Sequence, residues 1–325
     1  MKHNIPMTIL LLAMFVATQL IGLYIITSDP FSISQTLSNG TIETTENSAL
    51  SWIQPPEVEE ESDFGVYFSS IVLAFIFAVI ILFLLTKFKV AFILRIWFFA
   101  VVAIALTLSF TALLPEFIYF LNPIIYYTIP AIISISLAFL KVFGKNFIVH
   151  NFTELLIYPG IATIFVPILN FWSILVLLLL ISIYDIWAVW HSGIMQKMAK
   201  YQINNMKVFS GFFVPYISRK IRMRIKKMKK LKVKHKKIKV NVAILGGGDV
   251  VFPLITAGVI LKTASVNLPF GLIFTGGLIP AIFVIVGATL GLALLFMFSE
   301  KKKFYPAMPF ITGGILFGLV LGYFF

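Results

Sequence analysis

The chain has 325 residues, of which 60% are hydrophobic and only 12% are charged, and its mean hydropathy is +1.00. These values lie outside the range of ordinary soluble domains and indicate a protein with several membrane-spanning segments. The formal net charge is +13, and the absence of cysteine excludes disulfides and thiolate chemistry.

Hydropathy along the chain defines the expected membrane spans. A spanning helix needs about 20 mainly apolar residues. This criterion predicts nine spans, at residues 6–27, 66–86, 90–114, 122–140, 147–168, 170–190, 241–260, 270–298 and 304–325. The expected fold class is therefore an all-α polytopic membrane protein. The first segment is expected to remain as a span, because its apolar run of about 20 residues exceeds the roughly 7–15 of a signal-peptide core.

The distribution of basic residues predicts the orientation, because short cytoplasmic loops collect lysine and arginine. The loop at residues 28–65 contains neither and is rich in acids, so it is expected on the outer face. The basic residues of the other loops fall on the opposite side, at Lys2, Lys87, Lys89, Lys141, Lys145, Lys301, Lys302 and Lys303. This alternation predicts a cytoplasmic N-terminus and an outer C-terminus in a multi-pass protein of the cell membrane.

A basic loop separates two groups of spans within one integral membrane domain. Residues 1–190 contain spans 1–6, residues 191–240 form the loop, and residues 241–325 contain spans 7–9. Of the 26 lysines and arginines, 16 lie between residues 197 and 239, where there is no acid. Such juxtamembrane clusters commonly bind anionic lipid headgroups, which we expect as its partners. Nucleic acid is not expected, because the core of this run lacks aromatic residues that stack on bases.

Three carboxylates fall inside predicted spans, where an ionisable residue is costly and indicates function: Glu154 in the fifth, which could face a polar cavity or mark a short span, and Asp185 and Asp249 in the next two. Asp185 lies near the cytoplasmic end of the sixth span, about 7.5 Å deep at the rise of an α-helix. Asp249 lies about eight residues into the seventh span, or roughly 12 Å from the same face. Because consecutive spans run in opposite directions, these two side chains are expected to face each other at similar depth.

Two neighbouring carboxylates predict acid–base chemistry, because a close pair does not ionise fully and holds a single proton over a wide pH range. The ionised member takes a proton from water while the protonated member polarises a carbonyl, as in aspartic proteases. Peptide hydrolysis inside a membrane also needs access for substrate backbone. Gly246, Gly247 and Gly248 offer no side chain to block such an approach. Pro253 weakens the helix at Asp249, because it has no N–H for the carbonyl of that residue.

These residues resemble the motifs of a known family. Tyr184-Asp185 matches the YD motif, and Gly246-Gly247-Gly248-Asp249 matches the GxGD motif, of presenilin and signal peptide peptidase. The third motif of that family, Pro-Ala-Leu, appears as Pro306-Ala307-Met308, with methionine in place of leucine. The order of the motifs and the layout of nine spans look most like the microbial, archaeal-type presenilin homologues.

The resemblance implies an intramembrane aspartic endopeptidase and a role for each matching residue. Asp185 and Asp249 would be the catalytic pair, and Tyr184 would line the site. Gly246 and Gly248 would be close-packing positions. The motif at Pro306, Ala307 and Met308 would form a wall of the site. Substrates would be single transmembrane helices, including leftover signal peptides. They would pair as a strand beside the chain entering the seventh span, where KIKVNV at residues 237–242 has a suitable alternation.

Other functional classes remain open on the sequence. A proton-coupled transporter or a cation leak channel would use the same two aspartates as a relay, although relays need carboxylates at several depths. A scaffold with an inactive site is disfavoured, because both aspartates are present. No cofactor or metal is expected, since the histidines have no ligand-like spacing and HExxH is absent. The oligomeric state is not indicated.

Overall fold

The computed structural model describes residues 5–36, 42–56, 58, 60–87, 91–114, 118–119, 122–144, 146–192, 210–216, 241–267, 273–299 and 305–324. Within these ranges the chain forms nine α-helices of 15 residues or more and three two-stranded antiparallel sheets. The expectation of a helical polytopic fold is therefore confirmed. Most of the basic loop at 191–240, with its predicted lipid contacts, lies outside the described residues.

Six of the helices precede the basic loop and three follow it. The helices are α1 (Ile5–Ser28), α2 (Glu61–Lys87), α3 (Ala91–Leu113), α4 (Pro123–Phe143), α5 (Phe147–Phe165), α6 (Phe171–Trp187), α7 (Gly248–Lys262), α8 (Leu278–Phe298) and α9 (Met308–Tyr323). The strands are β1 (Ser32–Thr36), β2 (Ile42–Glu46), β3 (Gly211–Tyr216), β4 (Asn241–Gly246), β5 (Ser265–Asn267) and β6 (Ile273–Thr275).

The first six predicted spans each coincide with one helix, α1 to α6. Pro130 and Pro159 lie inside α4 and α5 without ending them, as is tolerated when neighbouring helices cover the freed backbone groups. Asparagine side chains begin α4, α5 and α6: Asn122, Asn146 and Asn170 each accept a hydrogen bond from a backbone N–H of the first turn. The α6 helix continues into a π-helical turn at Ala188–Ser192.

The seventh predicted span, 241–260, is wrong in its first part. Residues Asn241–Gly246 form strand β4 and the helix begins only at Gly248. The cause is an alternation in burial, since Ala243 and Leu245 are buried while Val242 and Ile244 are exposed. Asp249 therefore lies in the first turn of α7 and not eight residues into a helix, so the helical estimate of its depth was also wrong.

The eighth and ninth predicted spans also begin too early. Strand β6 pairs with β5 before α8 begins at Leu278, and α9 begins at Met308. Among the described helices, α1 to α6 and α8 are long and apolar enough to cross a membrane, whereas α9 is shorter. The structure therefore supports seven candidate spans directly. The count of nine and the orientation of the termini stay predictions.

Two groups of buried side chains hold the helices together. The larger core joins α1, α5, α6, α7, α8 and α9 with the β3–β4 ribbon. The smaller core joins α3 and α4 to α1 and α5. Helices α1 and α5 contribute to both cores, and so connect the two halves of the bundle. Many apolar side chains on the outside, such as Trp97, Ile183 and Phe298, are more than 60% exposed, as expected for a surface that faces lipid.

A buried ion pair joins α4 and α5. Lys141 donates to the Glu154 carboxylate, and both side chains are almost fully inaccessible. The sequence had placed Lys141 among the cytoplasmic loop residues, and that placement was wrong. A lysine in the last turn of a helix can turn inward when a carboxylate on the next helix offsets its charge, because a buried charge without a partner costs several kcal/mol.

Helices α8 and α9 pack through glycines. Gly287 and Gly291 on α8 face Gly314 and Gly318 on α9, so closely that a Cβ atom on any of them would fall on backbone atoms of the other helix. Small residues at this four-residue spacing allow helix backbones to approach in a membrane, where van der Waals packing is a main source of association. This contact fixes where α9 begins relative to the rest of the bundle.

Adjacent glycines on α9 provide a matched test of this contact. A Cβ on Gly314 would press on the Gly287 backbone, whereas a Cβ on Gly313 has open space within 4 Å. We expect Gly314→Ala to destabilise the protein by about 1–3 kcal/mol, the usual effect of overpacking. Gly313→Ala should be neutral. The measurement is the thermal midpoint of both variants in one detergent, and equal midpoints would contradict the close packing.

Candidate active site

Asp185 lies on the last turn of α6 and is held by the start of α9. Its side chain is buried, with 6% of the residue exposed. The backbone N–H of Met308 donates a hydrogen bond of 3.0 Å to Asp185 Oδ2, and the backbone of Ala307 makes a further contact with this carboxylate. These donors belong to the free N–H groups at the beginning of a helix, which require acceptors. The carboxylate thereby accepts hydrogen bonds from backbone groups at the start of α9 that have no partner within the helix.

A second polar contact aligns the same two helices one turn away. The hydroxyls of Ser182 and Thr312 lie 2.8 Å apart and are both buried. Ser182 precedes Asp185 by three residues and Thr312 follows Met308 by four, so the two contacts lie on facing surfaces of α6 and α9. Together they restrict rotation and sliding of α9 against α6.

Asp249 is positioned by the change from strand β4 to helix α7. It is half-buried in the first turn of the helix, and its carboxylate folds back over the end of the strand. A Cβ atom on Gly246 would lie 3.1 Å from Asp249 Oδ2, and the Gly246 backbone hydrogen-bonds to this carboxylate. The absence of a side chain at Gly246 therefore leaves room for the carboxylate.

Helix α1 supports this first turn from the other side. Gln19 is fully buried, and its Nε2 donates a hydrogen bond of 2.9 Å to the carbonyl oxygen of Val250. Thus the residue that follows Asp249 is held by a side chain more than two hundred positions away. The hydroxyl of Tyr158 on α5 lies beside Gly247, where an added Cβ would approach it to 2.8 Å.

The two aspartates border the same turn. Asp185 accepts from the Met308 N–H, while Asp249 lines a cavity together with the adjacent Ala307. The structure thus places each aspartate beside the Ala307-Met308 turn, and their pairing stays a prediction.

The cavity beside Asp249 has a volume of about 110 Å³ and is also lined by Leu245, Phe296, Ser299 and Tyr305. One water needs roughly 10–15 Å³ of such space. The cavity therefore has room for several waters next to a carboxylate. Its walls come from β4, the end of α8 and the segment that leads into α9.

The remaining predicted site residues differ in their surroundings. Pro306 and Met308 are buried, and Ala307 is the N-cap residue of α9. Tyr184 contacts the ring of Phe75 on α2, with centroids 5.5 Å apart, and does not line the described cavity. Gly248 is exposed, and an added Cβ would meet only Phe252 at 3.7 Å. Close packing within the described chain is therefore found at Gly246 and not at Gly248.

Several supporting residues were missed by sequence reasoning. Gln19, Tyr158 and the pair of Ser182 and Thr312 all contact the site or the helices that carry it. Their only sequence signal is a polar group inside an apolar span. That signal does not reveal a partner, because each partner is far away along the chain.

The sequence matches a family that fits this geometry. A family model described as signal-peptide peptidase, presenilin aspartyl protease matches residues 31–325. The chain belongs to this family. The prediction of an aspartic endopeptidase is thereby confirmed at the level of the family. No curated protein matches the chain significantly.

Two solved structures are similar to the chain. The chain is similar to the structure of a presenilin family intramembrane aspartate protease in a C222 crystal form, at 19% identity and a TM-score of 0.57, with 97% of this chain and 98% of that chain covered. A structure in a P2 crystal form, with the same description, has 18% identity, a TM-score of 0.49 and coverage of 96% and 95%. The C222 structure supports a presenilin-like fold over nearly the whole chain.

The turn at Ala307 and Met308 yields a paired prediction. Ala307 faces the cavity, so Ala307→Trp is expected to fill it and displace the Asp249 carboxylate. A displacement of about 1 Å can cost about 100-fold in rate. Met308→Leu keeps the backbone N–H that binds Asp185 and is close in volume, so it should stay within about tenfold of the parent.

The measurement is the initial rate of cleavage of one transmembrane peptide by both variants in the same detergent. Thermal midpoints close to the parent's would show that both variants are folded. Full activity of Ala307→Trp would show that this turn does not border the reacting groups.

Proposed function

We propose that this protein hydrolyses peptide bonds within or near transmembrane helices, with Asp185 and Asp249 as the catalytic pair and an activated water as the nucleophile. The observation that carries the proposal is the shared turn: both carboxylates border Ala307-Met308, and one of them lines a cavity with room for several waters. Substrates are membrane proteins or leftover signal peptides with a single helical span, the general kind of partner on which this family acts.

The chemistry follows from one proton shared by two carboxyl groups. The ionised aspartate removes a proton from water as the water oxygen adds to the substrate carbonyl carbon, and the protonated aspartate donates to the carbonyl oxygen. Collapse of the tetrahedral intermediate breaks the C–N bond: the ionised aspartate takes a proton from one hydroxyl as the carbonyl reforms, and the leaving nitrogen takes the proton of the other aspartate. The pair ends with one proton, ready for another turnover.

Strand β4 offers a place for the substrate backbone next to Asp249. Hydrolysis requires that the substrate helix unwind, and an unwound segment inside a membrane needs hydrogen-bond partners for its backbone. A strand edge supplies them by β-augmentation. The family resemblance suggested pairing along residues 237–242. The part of that range from 241 onward lies in β4, which continues to Gly246 beside the carboxylate.

The distribution of apolar and basic residues also suggests where the protein lies and how it is oriented. The chain is a polytopic membrane protein, and we place it in the cell membrane with nine crossings, a cytoplasmic N-terminus and the basic 191–240 loop against anionic headgroups. The alternative of a proton-coupled transporter or leak channel has less support, because the family is one of proteases. The two aspartates border one turn and do not form a series across the bundle.

Substitution of either aspartate tests the catalytic pair. Asp185→Asn and Asp249→Asn should each lower cleavage of a transmembrane peptide at least about 100-fold, because each removes an acid–base group. Asp63→Asn, a carboxylate in the first turn of α2 and outside the site, should retain activity and serves as the control. Products are identified by mass spectrometry after incubation in detergent. Normal cleavage by either purified site variant would disprove this pair.

The shared proton also predicts a bell-shaped pH profile. Cleavage should fall at low pH, where both carboxyls are protonated and no base remains, and at high pH, where both are ionised and no acid remains. The measurement is kcat/KM for one peptide across pH, with circular dichroism to verify the fold at each point. A rate that rises continuously into the alkaline range would indicate another catalytic group.

A further inference from the structure

One edge of the β3–β4 ribbon is covered by helix α5. The side chain of Asn151 pairs with Phe213 as a neighbouring strand would: its Nδ2 donates to the Phe213 carbonyl oxygen at 2.8 Å, and the Phe213 N–H donates to its Oδ1 at 3.1 Å. In an antiparallel strand, the N–H and C=O of one residue point to the same side, so a residue that uses both groups on one side makes no ladder hydrogen bond on the other. Phe213 therefore points its backbone groups away from β4 and toward α5.

The neighbouring outward positions of β3 are closed as well. His150 Nε2 lies 2.8 Å from the carbonyl oxygen of Gly211, and since a carbonyl only accepts, the ring donates from Nε2. Pro215, the other outward residue, has no N–H to offer. The ring of His150 also packs on that of Phe213, with centroids 4.6 Å apart. The edge of β3 that faces α5 is thus occupied at Gly211 and Phe213 and lacks a donor at Pro215.

The opposite edge of the ribbon, at Val242 and Ile244, has no hydrogen-bond partner among the described residues. In the register of the sheet, Phe213 lies opposite Ile244 and Pro215 lies opposite Val242. Because Phe213 points its backbone groups away from β4, these are the non-hydrogen-bonded pairs of the ladder. The backbone groups of Ile244 and Val242 therefore point away from β3. The described residues make no hydrogen bond to these groups along that edge. Gly246 is the next outward residue along β4, and its backbone contacts Asp249.

We infer that Asn151, assisted by His150, is a positioning residue that determines which edge of the ribbon accepts substrate. An unpaired strand edge binds any extended chain, so a ribbon with two free edges would hold substrate in two places. Only the β4 edge leads to Asp249. By occupying β3, α5 directs the unwound substrate segment to β4 and so limits the peptide bonds that reach the aspartates. This inference rests on the proposed proteolytic function.

The first test compares cleavage sites. Asn151→Ala is expected to spread the cuts in one synthetic single-span peptide over more positions, lowering the share at the main site relative to its neighbours at least about fivefold, because both hydrogen bonds to Phe213 are lost. Asn151→Asp keeps the acceptor for the Phe213 N–H and should lie between Asn151→Ala and the parent. Thr163→Val removes a hydroxyl that bonds within α5, far from the ribbon, and should leave the cut pattern unchanged.

A merely structural role for Asn151 predicts a different result. Activity and thermal midpoint would fall together while the distribution of products, read by mass spectrometry, stayed the same. That outcome would overturn the inference. Absence of cleavage by the parent protein would instead count against the proposed function, which separates the two failures.

The second test needs no variant of Asn151. Because the chain contains no cysteine, single cysteines are introduced at Ile244 on β4 and, separately, at Pro215 on β3. The peptide carries one cysteine near its cleavage site. Oxidation should link the peptide to Ile244→Cys at least about fivefold more than to Pro215→Cys. Equal linkage at both strands would contradict the closure of β3 even if every Asn151 variant failed to fold.

Discussion

The contact between the Asp185 carboxylate and the start of α9 is the interaction on which the rest of the site depends. A carboxylate buried in an apolar bundle needs donors, and a helix that begins inside the protein has N–H groups that need acceptors. The hydrogen bond from Met308 meets both needs at once. It brings the Ala307 turn to Asp185, and the glycine contact between α8 and α9 then brings the end of α8 to the same place. The cavity wall at Phe296 and Ser299 follows from that packing.

Helix α5 performs a similar function for the other aspartate. It contributes to both cores, and three polar groups in its first half reach neighbouring elements: Glu154 contacts Lys141, and Asn151 and His150 contact β3. The ring of Tyr158 packs on Phe212, whose side chain is fully buried. These contacts hold the ribbon against the bundle. Because β4 runs directly into α7, the placement of the ribbon decides where the first turn of α7, and hence Asp249, begins.

Features encoded by residues close together in the sequence could be predicted, whereas features that depend on contacts between distant segments could not. Long apolar runs predicted α1 to α6, because burial in lipid requires little beyond length and composition. The local motifs around Asp185, Asp249 and Pro306 indicated the candidate site, because each motif is contiguous in the sequence. Strand β4 was missed because an apolar run of six residues reads equally as helix, and only pairing with β3 decides between them. The inward turn of Lys141 was missed for the same reason, since its partner lies on the next helix.

A mixture of helix and strand at the site has a physical reason. Helices satisfy their own backbone and offer nothing to a substrate that has lost its helical hydrogen bonds, whereas a strand edge presents donors and acceptors in a row. That row is useful only if it ends at the reacting groups. In this chain the strand ends at Gly246, the helix begins at Gly248, and the carboxylate of Asp249 folds back over the junction. The glycines at this junction thus allow the element that holds backbone and the element that carries the acid to meet without side chains between them.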